Sequence, residues 1–492
     1  MKKIYLVQIS SRFLRKKTIY SPPFMGGVRG WVFSLFVLLG FSSCNEILEI
    51  DPPTDALIAE DVYGNVTNIK TAYTGLYSYH VHMNATYYQY LEQYFHFMSD
   101  ELKSDNTASF GIYFENTYTP NTSLYGNIWD QLYASVYKMN DFIEHIEATS
   151  LLSEETQKEY IAVAKWFRAY DYFLLSNLYG DVPLVLKSSI AESTKVGRTK
   201  ISEINEAITN DLLYAEQALA NSEETKNNVR TRLSTAAAQA LLARHYLYTG
   251  QWQNAADVAT KLIDGGAYSL EADVNKVFLS SSKEVIFGFD MDGFSGTGTY
   301  QGYTRTGWLY IPSSTANATY YLTDELAETI TSDSLDARIN WLGYQVISEK
   351  KRYYPYKYKN NSNATAANYE LQVQFRLAEQ YLIRAEARAH LNDIEGALAD
   401  INAIRSRAKV EPVEATTTAE VLTLIEEERR KELFVEGQAH RWFDLKRTSR
   451  ADAVYSKLDY KKWESHKILL PIPETQILRN LALTQNPGYD KK

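Results

Sequence analysis

The densest gathering of reactive side chains is the run Leu424-Ile-Glu-Glu-Glu-Arg-Arg-Lys-Glu-Leu-Phe-Val-Glu-Gly-Gln-Ala-His-Arg-Trp-Phe-Asp-Leu-Lys-Arg447. General acid–base catalysis needs two carboxylates aimed at one point. Glu426, Glu427 and Glu428 are consecutive and point different ways on a helix, so they form no such pair. The run reads as a helix, a break at Gly437 and a second helix, because glycine ends helices cheaply in a left-handed backbone. Ile425 and Leu433 share one stripe of the first helix, and Glu428 and Arg429 fill the space between them. Two readings stay open. Either the stripe is buried and its charges are paired, with Arg441 and Asp444 as partners, or the helix is solvated and carries spaced pairs such as Glu426/Arg430 and Glu427/Lys431.

Other chemistry is weaker. His80-Val-His82 with His96 is a loose set for a metal, and Asp290-Met-Asp-Gly293 lacks the further oxygen ligands of a calcium loop. No G-x-S-x-G nucleophile motif is present. The expectation is a protein that is no enzyme and that uses no metal and no cofactor.

Binding is better supported. Aromatic residues make up 13 % of the chain and tyrosine alone supplies 38. Most must lie at helix seams, but two polar, aromatic segments lack helical period, 103–118 and 294–310. Sugars present apolar C–H faces and a ring of hydroxyls. Aromatic rings cover the faces, while amides and guanidinium groups satisfy the hydroxyls. Phe110, Tyr113, Tyr303, Trp308 and Tyr310 are the candidate stacking platforms, with Asn106 and Arg305 as polar partners. Trp308 leads, since it offers the largest ring in a Gly- and Thr-rich segment.

The elements that must position these residues follow from the rest of the chain. Trp31–Phe41 is an apolar run of eleven residues, too short to span a bilayer comfortably. Basic residues precede it and Ser42-Ser43-Cys44 follows, the layout of a secretory signal. Cys44 is the only cysteine, which excludes a disulfide framework. Its place resembles that of the lipidated first residue of a bacterial lipoprotein. Residues 1–43 form the signal, and Met25 would give it a more usual length than Met1. Those residues hold seven bases and no acid, so removing them leaves 44 bases against 60 acids, a charge of −16. No basic field remains for nucleic acid.

Residues 44–64 read as a Pro-broken tether, and 65–492 as a single domain. Helices are expected over 65–102, 124–147, 154–178 and 200–220, the third ending at Tyr179-Gly-Asp-Val-Pro183. Residues 233–264 and 376–407 repeat one pattern at an offset of 142: Ala243 falls on Ala385, Trp252 on Ile394 and Ala255 on Ala397. A small residue, a tight turn, a bulky residue and then Ala is the tetratricopeptide pattern. Residues 159–220 and 424–447 are looser copies. The insert at about 268–372 changes character, with a strand at Glu284–Asp290 and alternating charge and aromatics over Lys350–Tyr358. The fold class is mainly α: four helical hairpins as scaffold, with an irregular, loop-rich, partly β subregion.

Several blocks in order resemble the SusD/RagB family of Bacteroidetes outer-membrane lipoproteins. They are Cys44, Phe97-Met-Ser-Asp-Glu101, Arg168-Ala-Tyr-Asp-Tyr-Phe173, Tyr179-Gly-Asp-Val-Pro183 and Ala240–Leu247. Phe375–Glu386, Glu428–Leu433, Arg441–Arg447 and Gln485-Asn-Pro-Gly-Tyr489 follow. The resemblance divides the domain into an N-terminal part, about 65–375, and a C-terminal part, about 376–492. It implies a surface-exposed, lipid-anchored protein of the outer membrane that captures oligosaccharides without catalysis. It also implies a SusC-like TonB-dependent transporter as partner. The matched blocks are scaffold, so no ligand contact carries over by position. Capture of oligopeptides, or a pure scaffold with no small ligand, are the alternatives.

Overall fold

The computed structural model describes residues 62–89, 93–291, 303–313, 316–362 and 364–489, with side chains undescribed over 82–89. Cys44, the signal and most of the tether lie outside the described residues.

The scaffold is a row of helices that pack in chain order. Helix α1 (Val66–Gln89) leans on α3 (Ser123–Ala148), and α2 (Thr107–Phe114) comes between them in sequence. Helix α3 packs on α4 (Glu154–Tyr179), α4 on α5 (Ile201–Ala218), and α5 on α6 (Thr235–Tyr248). Then α6 packs on α7 (Trp252–Asp264), and beyond the insert the row resumes with α10 (Leu377–His390) and α11 (Ile394–Arg407). It closes with α12 (Thr418–Leu433) and α13 (His440–Arg447). The insert holds two short helices, α8 (Arg305–Tyr310) and α9 (Asp324–Thr331).

The row forms because its central members have few polar faces. From Tyr160 onward α4 is buried almost all round, as expected of a helix packed on two sides. Ser153 caps its start, accepting the Thr156 N–H at 3.2 Å, and Gly180, at φ +77°, ends it. The repeat at offset 142 is seen in the coordinates: Thr235 and Leu377, and Trp252 and Ile394, open the corresponding helices. Ala243, Ala255, Ala385 and Ala397 are fully buried, so the paired helices approach closely. Trp252 fills the gap between hairpins, stacking on His390 of α10 at 3.9 Å.

Three two-stranded antiparallel ladders shape the insert. β1 (Leu102–Lys103) pairs with β3 (Tyr321–Leu322), and β2 (Val285–Phe289) with β6 (Gln372–Arg376). β4 (Leu342–Ile347) and β5 (Lys350–Pro355) form a hairpin. Ser348 and Glu349 both have positive φ in its turn, the backbone that matches strand twist.

The last hairpin settles the two readings of its charges in favour of burial. Glu428, Arg429 and Glu432 are all buried. Asp444 partners Arg429 as expected, Oδ2 accepting from Nε at 2.7 Å. Arg441 grips Asp100 (2.9 and 3.1 Å) and reaches Glu426, while Glu428 is held by Arg338 and Arg405. At the centre, Arg376 of β6 bonds Glu284, Glu432 and Glu436 at 2.7–2.8 Å. Burial alone would raise the Glu432 pKa, but Arg407, Arg376 and Arg338 outweigh it and hold the group far below the carboxylate range. One ionic knot therefore ties the insert to the last hairpin.

The break between α12 and α13 departs from expectation. Gly437 is not in the left-handed region; Val435 (φ +47°) and Ala439 (φ +53°) are. A β-branched residue there is strained. The Val435 N–H donates to Glu101, and Lys357 and Arg376 both bond the Glu432 carbonyl, so the surroundings fix the turn.

Candidate functional site

The β1–β3 ladder brings the two aromatic segments together. It aligns Leu102 with Leu322 and Lys103 with Tyr321, so the chain before α2 lies beside the chain after α8. Lys103 pairs with Asp324 at 2.7 Å, and the Ser104 hydroxyl donates to the Thr319 carbonyl at 2.7 Å. Arg352 of β5 reaches across and forks Asp105 at 2.7 and 2.9 Å, its guanidinium 3.8 Å from the Tyr321 ring centroid.

Where they are described, both segments contain a short helix in place of the irregular loop that their composition suggests. Residues 107–114 form α2, and Asn106 is its cap, Oδ1 accepting the Ser109 N–H at 3.2 Å. Residues 305–310 form α8, capped by Thr304, whose hydroxyl accepts the Gly307 N–H at 3.0 Å. The first part of the second segment, 294–302, lies outside the described residues, as do Asp292 and Gly293 of the calcium-like stretch.

Most of the expected platforms are corrected by burial. Phe110, Tyr113, Tyr303 and Tyr310 are all buried, so their faces are turned to the protein. Phe110 stacks on Phe97 at 5.0 Å and meets Tyr320 edge-on at 5.4 Å; Tyr310 meets the same Tyr320 at 5.7 Å. Tyr113 packs against Tyr94 at 4.4 Å. Phe110 and Tyr310, each against Tyr320, make the wall that joins the two segments. Tyr320, unremarked in the sequence, is its keystone.

Trp308 is different. It is 48 % exposed, and the Arg305 guanidinium lies 4.1 Å from its ring centroid. Its short helix is held from below. Gln372 Nε2 donates to the Thr306 hydroxyl at 2.6 Å, and Asn361 Nδ2 donates to the Ile311 carbonyl at 3.3 Å. Gly307 lies so close to the Asn360 carbonyl that a Cβ would collide with it. Asn360 in turn belongs to a turn organised by Glu370, a buried carboxylate that accepts the Lys359 and Asn360 N–H groups at 2.6 and 3.2 Å. Burial lifts Glu370 to about 7, against those hydrogen bonds. The β4–β5 hairpin adds Tyr344, also exposed, which faces Tyr353 across the register. The alternation over Lys350–Tyr358 was the sequence signal for it.

The histidines have structural partners. His96 bonds Glu101 at 2.5 Å, and His82 lies among the undescribed side chains. His80 Nε2 faces the Ser135 hydroxyl at 3.1 Å and Asp171 at 3.6 Å, while Nδ1 meets the Leu76 carbonyl. A hydrolytic triad needs the carboxylate on the ring nitrogen opposite the serine. Here both sit on one nitrogen, in the core. Among the described residues no group of three or more His, Cys, Asp or Glu is placed to hold a metal.

A row of helical hairpins with a partly β insert hung from it defines a helical-repeat scaffold protein. A profile described as "SusD family" matches residues 294–489, and one described as "Starch-binding associating with outer membrane" matches 48–247. The chain belongs to the SusD/RagB family. A SusD-like protein of Formosa agariphila is 26 % identical over 532 residues, spanning 94 % of this chain and 99 % of its own. A crystal structure of a SusD superfamily protein from Bacteroides vulgatus shares the fold with a TM-score of 0.74 at 21 % identity, covering 86 % of this chain and 98 % of that one. A laminarin-binding SusD-like protein does so with a TM-score of 0.70 at 22 % identity, covering 86 % and 100 %. Among the described residues no helix is long and apolar enough to cross a membrane.

Proposed function

We propose that this protein captures oligosaccharides at the outer surface of the outer membrane and passes them to a SusC-like TonB-dependent transporter, without catalysis. Cys44 would carry the lipid anchor. The observation that carries the glycan reading is Trp308, an exposed indole on a helix pinned from beneath, with Arg305 over its ring. A rigid platform loses little entropy on binding, and an adjacent guanidinium supplies hydroxyl-directed donors. Family membership and the laminarin-binding neighbour support the same reading and make laminarin a sensible first glycan to try.

The test is a glycan-array screen of the mature protein, followed by calorimetry with the best hit. Trp308→Ala is expected to weaken binding by about tenfold, since a ring stacked on an aromatic side chain is worth on the order of 1 kcal/mol. Peptides bound in place of glycans would transfer the protein to the oligopeptide reading. Binding of neither would leave a scaffold role.

A further inference from the structure

A cavity of about 460 Å³ lies away from the Trp308 platform, at the ends of α6 and α10 and the facing sides of α12 and α13. That volume suits a small molecule. Its walls are unevenly provided with polar groups. The carboxylates are already engaged. Glu386 is forked by Arg447, Asp444 is shared between Arg447 and Arg429, and Glu426 takes Arg441 and Arg450. Arg447 is thereby engaged through all three of its nitrogens.

Arg429 is not. It lines the cavity, is 3 % exposed, and spends only Nε, on Asp444 at 2.7 Å. Its Nη1 and Nη2 have no hydrogen-bond acceptor among the described residues. Buried donors without acceptors are costly, more so when charged, and such an exception calls for a ligand or an ordered partner. The other lining atoms without a hydrogen-bond partner are Arg430 Nε and Nη2 and His440 Nδ1, so the unsatisfied capacity of this wall is chiefly donors, led by a fork whose two nitrogens match the two oxygens of a carboxylate. The rest of the lining suits an organic body: Leu247, Leu422, Ile425 and the Trp252–His390 stack.

We infer that this cavity is a binding site for a small organic acid, the class that includes acidic monosaccharides, with Arg429 as the carboxylate fork and Trp252 as the apolar wall. The inference is independent of the Trp308 site. A neutral sugar offers the Arg429 fork only uncharged hydroxyl acceptors, which make weaker hydrogen bonds to a guanidinium than the paired oxygens of a carboxylate.

Glucuronate and glucose are the probes, since they share a ring and differ in the carboxylate. Inorganic sulfate separates the charge from the ring. Calorimetry on the mature protein should show glucuronate binding and glucose failing. Arg429→Lys keeps a cation for Asp444 but loses the fork, and should weaken glucuronate by about tenfold. Thr423→Trp is made at an exposed rim position, so it should block the cavity while leaving the melting temperature unchanged. Trp308→Ala should leave glucuronate binding as it is. The inference is overturned if wild-type protein binds no glucuronate, if sulfate binds without it, or if both cavity variants bind as wild type does.

Discussion

Glu432 accepts from Arg376, Arg407 and Arg338 at full burial, so each partner's removal leaves charge stranded in low dielectric. Glu432→Gln should cost about 3–5 kcal/mol in urea-unfolding free energy. A change below about 1 kcal/mol would show that the knot is far weaker than its geometry. Arg441→Ala belongs to the same class. It removes the fork on buried Asp100, whose carboxyl Arg441 and Arg430 hold below the ordinary range in spite of burial. Melting temperature should fall while affinity for the glycan hit stays within error; the reverse pattern would make Arg441 a ligand contact. Glu370 gives a pH dependence of opposite sign to the usual carboxylate. Its folded pKa of about 7 lies above its ordinary 4.5, so its contribution is present below about pH 4.5 and is lost as pH rises through 7. The loss amounts to about 3 kcal/mol at 1.36 kcal/mol per unit. Glu370→Gln should flatten the stability profile between pH 5 and 8 measured by urea titration. An unchanged slope would show that the two N–H bonds keep Glu370 ionised throughout.

At the scale of elements, α8 is the vulnerable part, because six residues with one cap hold the exposed indole. Gly307→Ala should push α8 off the Asn360 carbonyl and weaken the glycan hit, while Gly266→Ala, with open space around its Cβ position but positive φ, should cost stability alone. Equal affinity in both variants would detach α8 from binding. The helical row was legible because its cues are local: Ser153 and Gly180 bound α4, and the spacing of a small residue, a bulky residue and Ala at offset 142 placed two hairpins within two residues of their observed bounds. α2 and α8 were not legible. Their capping residues, Asn106 and Thr304, were present, but too few apolar positions follow in each for a period to show, and tertiary contact decides such short helices. The burial of Phe110 and Tyr310 was equally hidden, because both depend on Tyr320, some 10 to 210 positions away in sequence, arriving through a two-residue ladder. Gly437 misled for a related reason. The knot around Glu432 and Glu436 fixes the turn strongly enough to put Val435 where glycine is usual.

For the whole molecule, attachment is the decisive property of the proposed role, since capture would serve a transporter only if the captor stays beside it. Without residues 1–43, the proposed signal, the chain would carry −16, and a surface of that sign gains nothing from an anionic headgroup layer. Electrostatics therefore cannot hold it on the membrane, and no described helix crosses one. On the proposed reading, attachment falls to a lipid on Cys44, in a sequence that continues through Pro52 and Pro53. Each buried methylene contributes about 0.8 kcal/mol, so one acyl chain binds marginally and two or more bind firmly. Cys44→Ser should then release the protein almost completely from the membrane fraction of expressing cells, while its circular dichroism and glycan affinity stay unchanged, because Cys44 lies outside the described fold, which begins at residue 62. Partition is read by fractionation and immunoblot, and outward orientation by protease accessibility on intact cells. Retention of the serine variant in the membrane fraction at wild-type level would mean that the transporter interface, and not the lipid, is the anchor. Raising the salt concentration then separates an ionic interface, which would let go, from an apolar one, which would not.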